Sequence, residues 1–184
     1  MPEHPLAGLA RCAAILTVCL AWAALASPAP AADGRIAPTV GHYDVTPDKH
    51  TLLDQYLRSA EAARYLARFP DMVLVDVRPS RFVAAYATPP AAAGHVPFLV
   101  EATEGDAGAK SDEAPMKVNP GFVAAVEALV TAKGKARSAT VMLICGSGLF
   151  SARAADLLAE AGFANVYSII DGMEALNRGS AAPR

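Results

Sequence analysis

Residues 140–160 read TVMLICGSGLFSARAADLLAE, and no other stretch limits the fold as tightly. Thr140–Ile144 is apolar after its first residue and β-prone, the pattern of a strand covered on both faces. Cys145 ends the run, small residues turn the chain, and Ser151 opens an Ala- and Leu-rich segment that reads as a helix. A covered strand that passes straight into a helix belongs to an α/β architecture with parallel neighbours. The junction also points to a chemistry. A thiol placed there faces amide hydrogens of the turn and the positive end of a helix dipole, and both favour an anion on sulfur.

The first 31 residues are set aside from the fold. Arg11 precedes the apolar run Cys12–Ala26, and Ala29-Pro30-Ala31 provides a small-x-small cleavage site, with Ala24-Leu25-Ala26 as a second option. This is the pattern of a secretory signal peptide, so the mature chain is expected to begin near Ala32 in the bacterial periplasm. The competing reading is a membrane anchor, but the core alone falls short of the roughly 20 residues a span requires. Cleavage would remove Cys12 and Cys19 and leave Cys145 as the one cysteine, which cannot form an intrachain disulfide. The formal net charge of −2 offers no basic surface for nucleic acid. Membrane contact is expected only in passing, through the signal peptide.

Residues 32–42 read as a flexible leader, polar and carrying Gly and Pro. Tyr43–Val45 reads as a short strand, and Thr46-Pro47 as the start of a helix whose face is Leu52, Leu53, Tyr56, Leu57, Ala60 and Ala63. Phe69-Pro70-Asp71 stops it. Met72–Val77 (MVLVDV) is a buried strand, Val96–Val100 another, and Glu101–Val118 a surface excursion able to line a site. Asn119-Pro120 begins a helix with Phe122, Val123, Val126, Leu129 and Val130 on one face. Asn165–Ile170 is a further strand, and Gly172–Asn177 a short last helix.

Several segments in order resemble the rhodanese family of sulfurtransferases. They are Val73–Arg78 (VLVDVR), Gly94-His95-Val96-Pro97, Asn119–Val123 (NPGFV), the Cys145–Ser151 junction with the helix to Phe163, and Asn165–Leu176 (NVYSIIDGMEAL). The resemblance implies an α/β, three-layer sandwich over residues 43–180, with a largely parallel central sheet flanked by helices. It implies a loop of Cys145, Gly146, Ser147, Gly148, Leu149 and Phe150, closed by Ser151, that curls its amide hydrogens around the sulfur. Cys145 would carry sulfur as a persulfide between a small sulfur donor and a thiol, cyanide-like or protein acceptor. No cofactor and no metal are implied.

The sequence departs from the family where many members carry arginine, since Gly146 and Phe150 occupy those loop positions. An anionic donor such as thiosulfate loses two partners there, and an apolar Leu149-Phe150 rim suits a polysulfide, a small persulfide or a protein. Asp76 and Arg78 read first as a structural pair beside the loop and second as a substrate contact. Arg153 reads as a surface charge able to help hold an anion, and His95 as a turn or packing residue. His42 and His50 lie in no metal-ligand spacing. One alternative class is a rhodanese-like module that binds a partner or senses sulfur species without turnover. Another, a cysteine-dependent phosphatase or arsenate reductase, needs arginine at the position of Ser151, and the nearest is Arg153.

Overall fold

The computed structural model describes residues 35–83, 87–102 and 115–173. Its centre is a five-stranded parallel sheet of β1 (Tyr56–Leu57), β2 (Val73–Asp76), β3 (Gly94–His95), β6 (Val141–Ile144) and β7 (Val166–Ile169), in the order β1-β7-β6-β2-β3. β4 (Leu99–Glu101) and β5 (Met116–Val118) form a separate antiparallel pair. The helices are α1 (Ser59–Arg68), the short α2 (Ser80–Val83), α3 (Phe122–Ala132) and α4 (Leu149–Glu160). The sequence reading of a largely parallel sheet flanked by helices is therefore what the chain adopts.

Strand alternation divides the core into two faces. Val73, Val75, Val141, Leu143 and Val166 point towards Phe122, Val126 and Val130 of α3 and Ala154, Ala155 and Leu158 of α4. Leu74, Met142, Ile144, Tyr167 and Ile169 face the opposite way, onto Ala62 and Tyr65 of α1. Every residue of β2, β6 and β7 is buried, which is why these strands read as unbroken apolar runs rather than alternating ones.

Strand order selects one place for a site. From β2 the chain crosses to β3 on one side, and from β6 to β7 on the other, although β2 and β6 are paired neighbours. Their carboxyl ends therefore border a crevice where successive connections diverge, the preferred binding position in open α/β sheets. Cys145 follows β6 and Arg78 closely follows β2.

The N-terminal segment corrects three expectations. Tyr43–Val45 is not a strand, since His42–Asp44 forms a 3-10 turn. The helix expected from Pro47 is only the 3-10 turn Pro47–Lys49, and the first strand is Tyr56–Leu57. Leu52, Leu53, Tyr56 and Leu57 match a helical spacing, but Tyr56 and Leu57 are consecutive and both fully buried, as in a strand covered on both faces. The leader read as flexible is anchored from Ile36 on. Ile36 is buried, its N–H donates to the Tyr167 hydroxyl at 2.9 Å, and its carbonyl accepts from the same hydroxyl at 2.8 Å.

Further along, Val96–Val100 is not one strand. Gly94–His95 pairs with β2, whereas Leu99–Glu101 pairs with β5, and Pro97 between them has no N–H to continue a ladder. Most of the expected Glu101–Val118 excursion lies outside the described residues, as do most of the last helix and the whole signal segment. Among the described residues no helix is long and apolar enough to cross a membrane.

The Ile36–Tyr167 pairing leads to a test. In Tyr167→Phe two buried backbone groups lose their partner, and an unsatisfied buried group costs about 1–3 kcal/mol. The expected result is a lower urea midpoint and faster proteolysis near residues 35–45. Unchanged stability would show that the strap contributes nothing to folding.

Candidate active site

The site is assembled around a helix that begins against the sheet. β6 delivers Cys145 into the interior, where it is 1% exposed, and three residues later α4 starts with Gly148 as its N-cap. The helix thus begins two residues before Ser151, so Leu149 and Phe150 belong to its first turn rather than to a six-residue loop. The first amide hydrogens of a helix have no partner within it. A serine or aspartate at the N-cap usually supplies one, and Gly148 has no side chain to do so. The cysteine sulfur takes that place. Ser151 N donates to Cys145 Sγ at 3.4 Å and Gly148 N at 3.1 Å. Two amide dipoles and the helix dipole therefore converge on one sulfur atom.

The turn can reach this geometry only through glycine. Gly148 has φ +97°, and a Cβ there would lie 2.1 Å from the Ile170 carbonyl oxygen. Gly172, at φ +57°, packs in the same manner onto the Gly146 carbonyl, which a Cβ would meet at 2.2 Å. Gly146 differs, since a Cβ at that position meets nothing within 4 Å. The Ser151 hydroxyl is fully buried, 3.7 Å from the sulfur. It donates to the Gly148 carbonyl at 3.0 Å and shares a 3.0 Å hydrogen bond with the Ser168 hydroxyl of β7. The turn is thereby tied to the neighbouring strand.

Above the sulfur opens a cavity of about 220 Å³ lined by Arg78, Pro79, Phe82, Cys145, Gly146, Ser147, Leu149 and Phe150. Its mouth is apolar, with Phe82 46% and Leu149 37% exposed. Among the described residues Arg78 is the one cation in the lining, and its charge is already matched. Nε donates to both carboxylate oxygens of Asp76, at 2.9 and 3.1 Å, and Nη2 donates to one of them at 2.6 Å. Both side chains are buried, and Thr88 Oγ1 adds a hydrogen bond to the carboxylate at 3.2 Å. His95 Nε2 pairs with the Arg78 carbonyl at 2.7 Å, a contact that holds the end of β2.

Arg153 is exposed and does not line the cavity. It lies near Asp48, whose carboxyl is held below the usual carboxylate range chiefly by a hydrogen bond with the Thr46 side chain, with Lys49 and Arg153 contributing charge. His42 pairs with Asp54 at 2.7 Å and stacks near His50, away from the cavity. Among the described residues no cluster of His, Cys, Asp and Glu could hold a metal ion.

The structure thus brings Cys145, the glycine turn, Ser151 and Arg78 together, puts Asp76 behind Arg78 and leaves Arg153 outside. Sequence reasoning missed Phe82 and Pro79, although an aromatic one turn beyond the VLVDVR strand was a usable signal. It also missed Lys49, whose amine donates to the Ser147 carbonyl at 2.7 Å and the Ile170 carbonyl at 3.1 Å. The 98 positions between Lys49 and Ser147 leave no trace of that contact in the sequence.

A family model for the rhodanese-like domain matches residues 59–178, more than half of the chain. No curated protein matches it. Two of the similar solved structures are as follows. Rv0390 from M. tuberculosis is 23% identical, with 64% of this chain and 78% of that chain covered and a TM-score of 0.41. RPA3614 from Rhodopseudomonas palustris, described as a protein of unknown function and possible tyrosine phosphatase, is 20% identical, with coverages of 71% and 84% and a TM-score of 0.44.

The two glycines of the turn and Gly172, which packs onto it, should separate sharply on substitution. Gly148→Ala and Gly172→Ala each combine a disfavoured φ with a clash against backbone, so each should cost at least about 2 kcal/mol. Gly146→Ala should stay within about 0.5 kcal/mol of wild type. Urea unfolding of the three variants checks this, and equal midpoints would refute the packing described.

Proposed function

The chain belongs to the rhodanese-like domain family, and we propose that it is a sulfurtransferase whose Cys145 carries the sulfur. The observation that carries this reading is the buried Cys145 sulfur receiving two amide hydrogens beneath an open cavity. In the first half-reaction the thiolate attacks the outer sulfur of a donor. The donor S–S bond breaks and its electron pair leaves with the departing group, sulfite in the case of thiosulfate. Cys145 is left as a persulfide. A nucleophilic acceptor, a thiol or cyanide, then attacks the outer sulfur and returns the bonding pair to Cys145 as thiolate. Thiolate and persulfide are both anions, and fixed amide dipoles stabilise them without reorganising during the reaction.

The cavity favours donors of low charge. Among the described residues its one lining cation, Arg78, is committed to Asp76, and Pro79, Phe82, Leu149 and Phe150 line it with apolar surface. A charged hydrogen bond to an anion contributes about 1.5–3 kcal/mol, or roughly ten- to a hundredfold in binding. Lacking it, thiosulfate is a weak donor, and organic persulfides or polysulfides fit better. RPA3614 is described only as a possible tyrosine phosphatase, and that chemistry does not carry over to this chain. Such chemistry needs an arginine where this chain places the buried Ser151 hydroxyl. The Arg11-led apolar segment before Ala32 supports export to the periplasm.

Two variants test the assignment. Cys145→Ser should fold normally and gain no 32 Da adduct on exposure to a persulfide donor. If it loads sulfur as wild type does, the reading is wrong. Gly146→Arg places a cation at a position with open space. It should lower the thiosulfate KM about tenfold or more at low ionic strength, and added salt should erode the gain. Wild-type saturation at micromolar thiosulfate would show that the cavity already binds the anion well.

A further inference from the structure

We propose that Lys49 is a positioning residue for the reactive sulfur, acting through the single peptide unit between Ser147 and Gly148. The Lys49 ammonium donates to the carbonyl of that unit at 2.7 Å, and the N–H of the same unit donates to Cys145 Sγ at 3.1 Å. Carbonyl and amide hydrogen are conjugated through the partial double bond. A cation held at the oxygen draws electron density from the nitrogen and makes the hydrogen a stronger donor, the polarisation that strengthens successive hydrogen bonds in a chain. The inference rests on the reading of Cys145 as the sulfur carrier. It adds a component that the family match does not include, because Lys49 precedes the matched residues 59–178.

The surroundings are consistent with a fixed relay. Lys49 is half-buried and also donates to the Ile170 carbonyl at 3.1 Å, the group against which Gly148 packs. Asp44, Arg58 and Asp171 line the same depression of about 330 Å³. Asp171 accepts from the backbone and hydroxyl of Ser59. Asp48 and Arg153 lie close by on the outer side. On the sulfur side Arg78 is matched by Asp76. Lys49 is thus the cation tied to the peptide that caps the sulfur. The bland alternative is a mechanical tie between the N-terminal strap and the turn.

The experiment separates charge from tethering. Iodoacetamide alkylation of Cys145 is followed against pH in Lys49→Met, Lys49→Gln and Lys49→Arg, with melting temperatures alongside. The neutral variants should require a higher pH for half-maximal rate and react about tenfold more slowly below it, whereas Lys49→Arg should stay within about twofold of wild type. If Lys49→Met does not fold, Lys49→Gln decides, since its amide remains a donor without charge. Wild-type alkylation profiles in a folded neutral variant would overturn the proposal. So would a slowing that Lys49→Arg shares or that merely follows melting temperature. Alkylation needs no sulfur donor. Failure of every variant and of wild type to form a persulfide would therefore count against the sulfurtransferase reading, whereas the alkylation profiles bear only on the link between Lys49 and the sulfur.

Discussion

An α-helix that begins against a buried strand must find acceptors for its first amide hydrogens, because water is not there to supply them. In this protein a sulfur atom serves. Cys145 enters the core at the end of β6, on the face shared with α3 and α4, and receives the Ser151 and Gly148 amides. For that to happen the turn must be three residues long and pass through a left-handed glycine. The end of β7 must also come close enough for the Ile170 carbonyl to touch that glycine. The Ser151–Ser168 hydroxyl pair fixes the same distance from inside the sheet. The capping role and the proposed role as sulfur carrier therefore make the same geometric demand on Cys145.

Little uncompensated charge lies beside the Cys145 sulfur. The strong cation beside the cavity is neutralised within two residues by Asp76, and such a buried pair is itself roughly neutral in its contribution to stability. Arg153 points to solvent near Asp48. What remains at the sulfur is oriented peptide, framed by apolar side chains. On the proposed sulfurtransferase reading, such a site would discriminate among donors by shape and polarisability, with little help from long-range attraction.

Much of this was legible in the sequence. Strands β2, β6 and β7 announce themselves because burial on both faces leaves no room for polar residues, and the Cys145 junction is contiguous in the chain. The N-terminal segment is hard to read for the opposite reason. A two-residue strand and two 3-10 turns carry too few residues for any period to emerge, and the spacing of Leu52, Leu53, Tyr56 and Leu57 imitates a helix by coincidence. The split between β3 and β4 hinged on Pro97, a punctuation mark inside an otherwise strand-like run. Lys49 and the Ile36–Tyr167 pairing are long-range contacts between polar groups. Such contacts depend on how finished elements are stacked, so local pattern does not encode them.

The strap that runs from Ile36 to Leu57 has a consequence at the margin of the sheet. β1 pairs with β7 along Tyr56↔Ser168 and Leu57↔Ile169, and without it β7 would be an uncovered edge. A fragment cut to the boundary of the matched family region, at residue 59, would lose that strand, the buried Ile36 and the Lys49 amine together. The row of backbone donors and acceptors left on β7 would be a template for another extended chain. Such a fragment would carry Cys145 and its glycine turn intact yet be prone to self-association. The working unit is therefore larger than its recognisable domain.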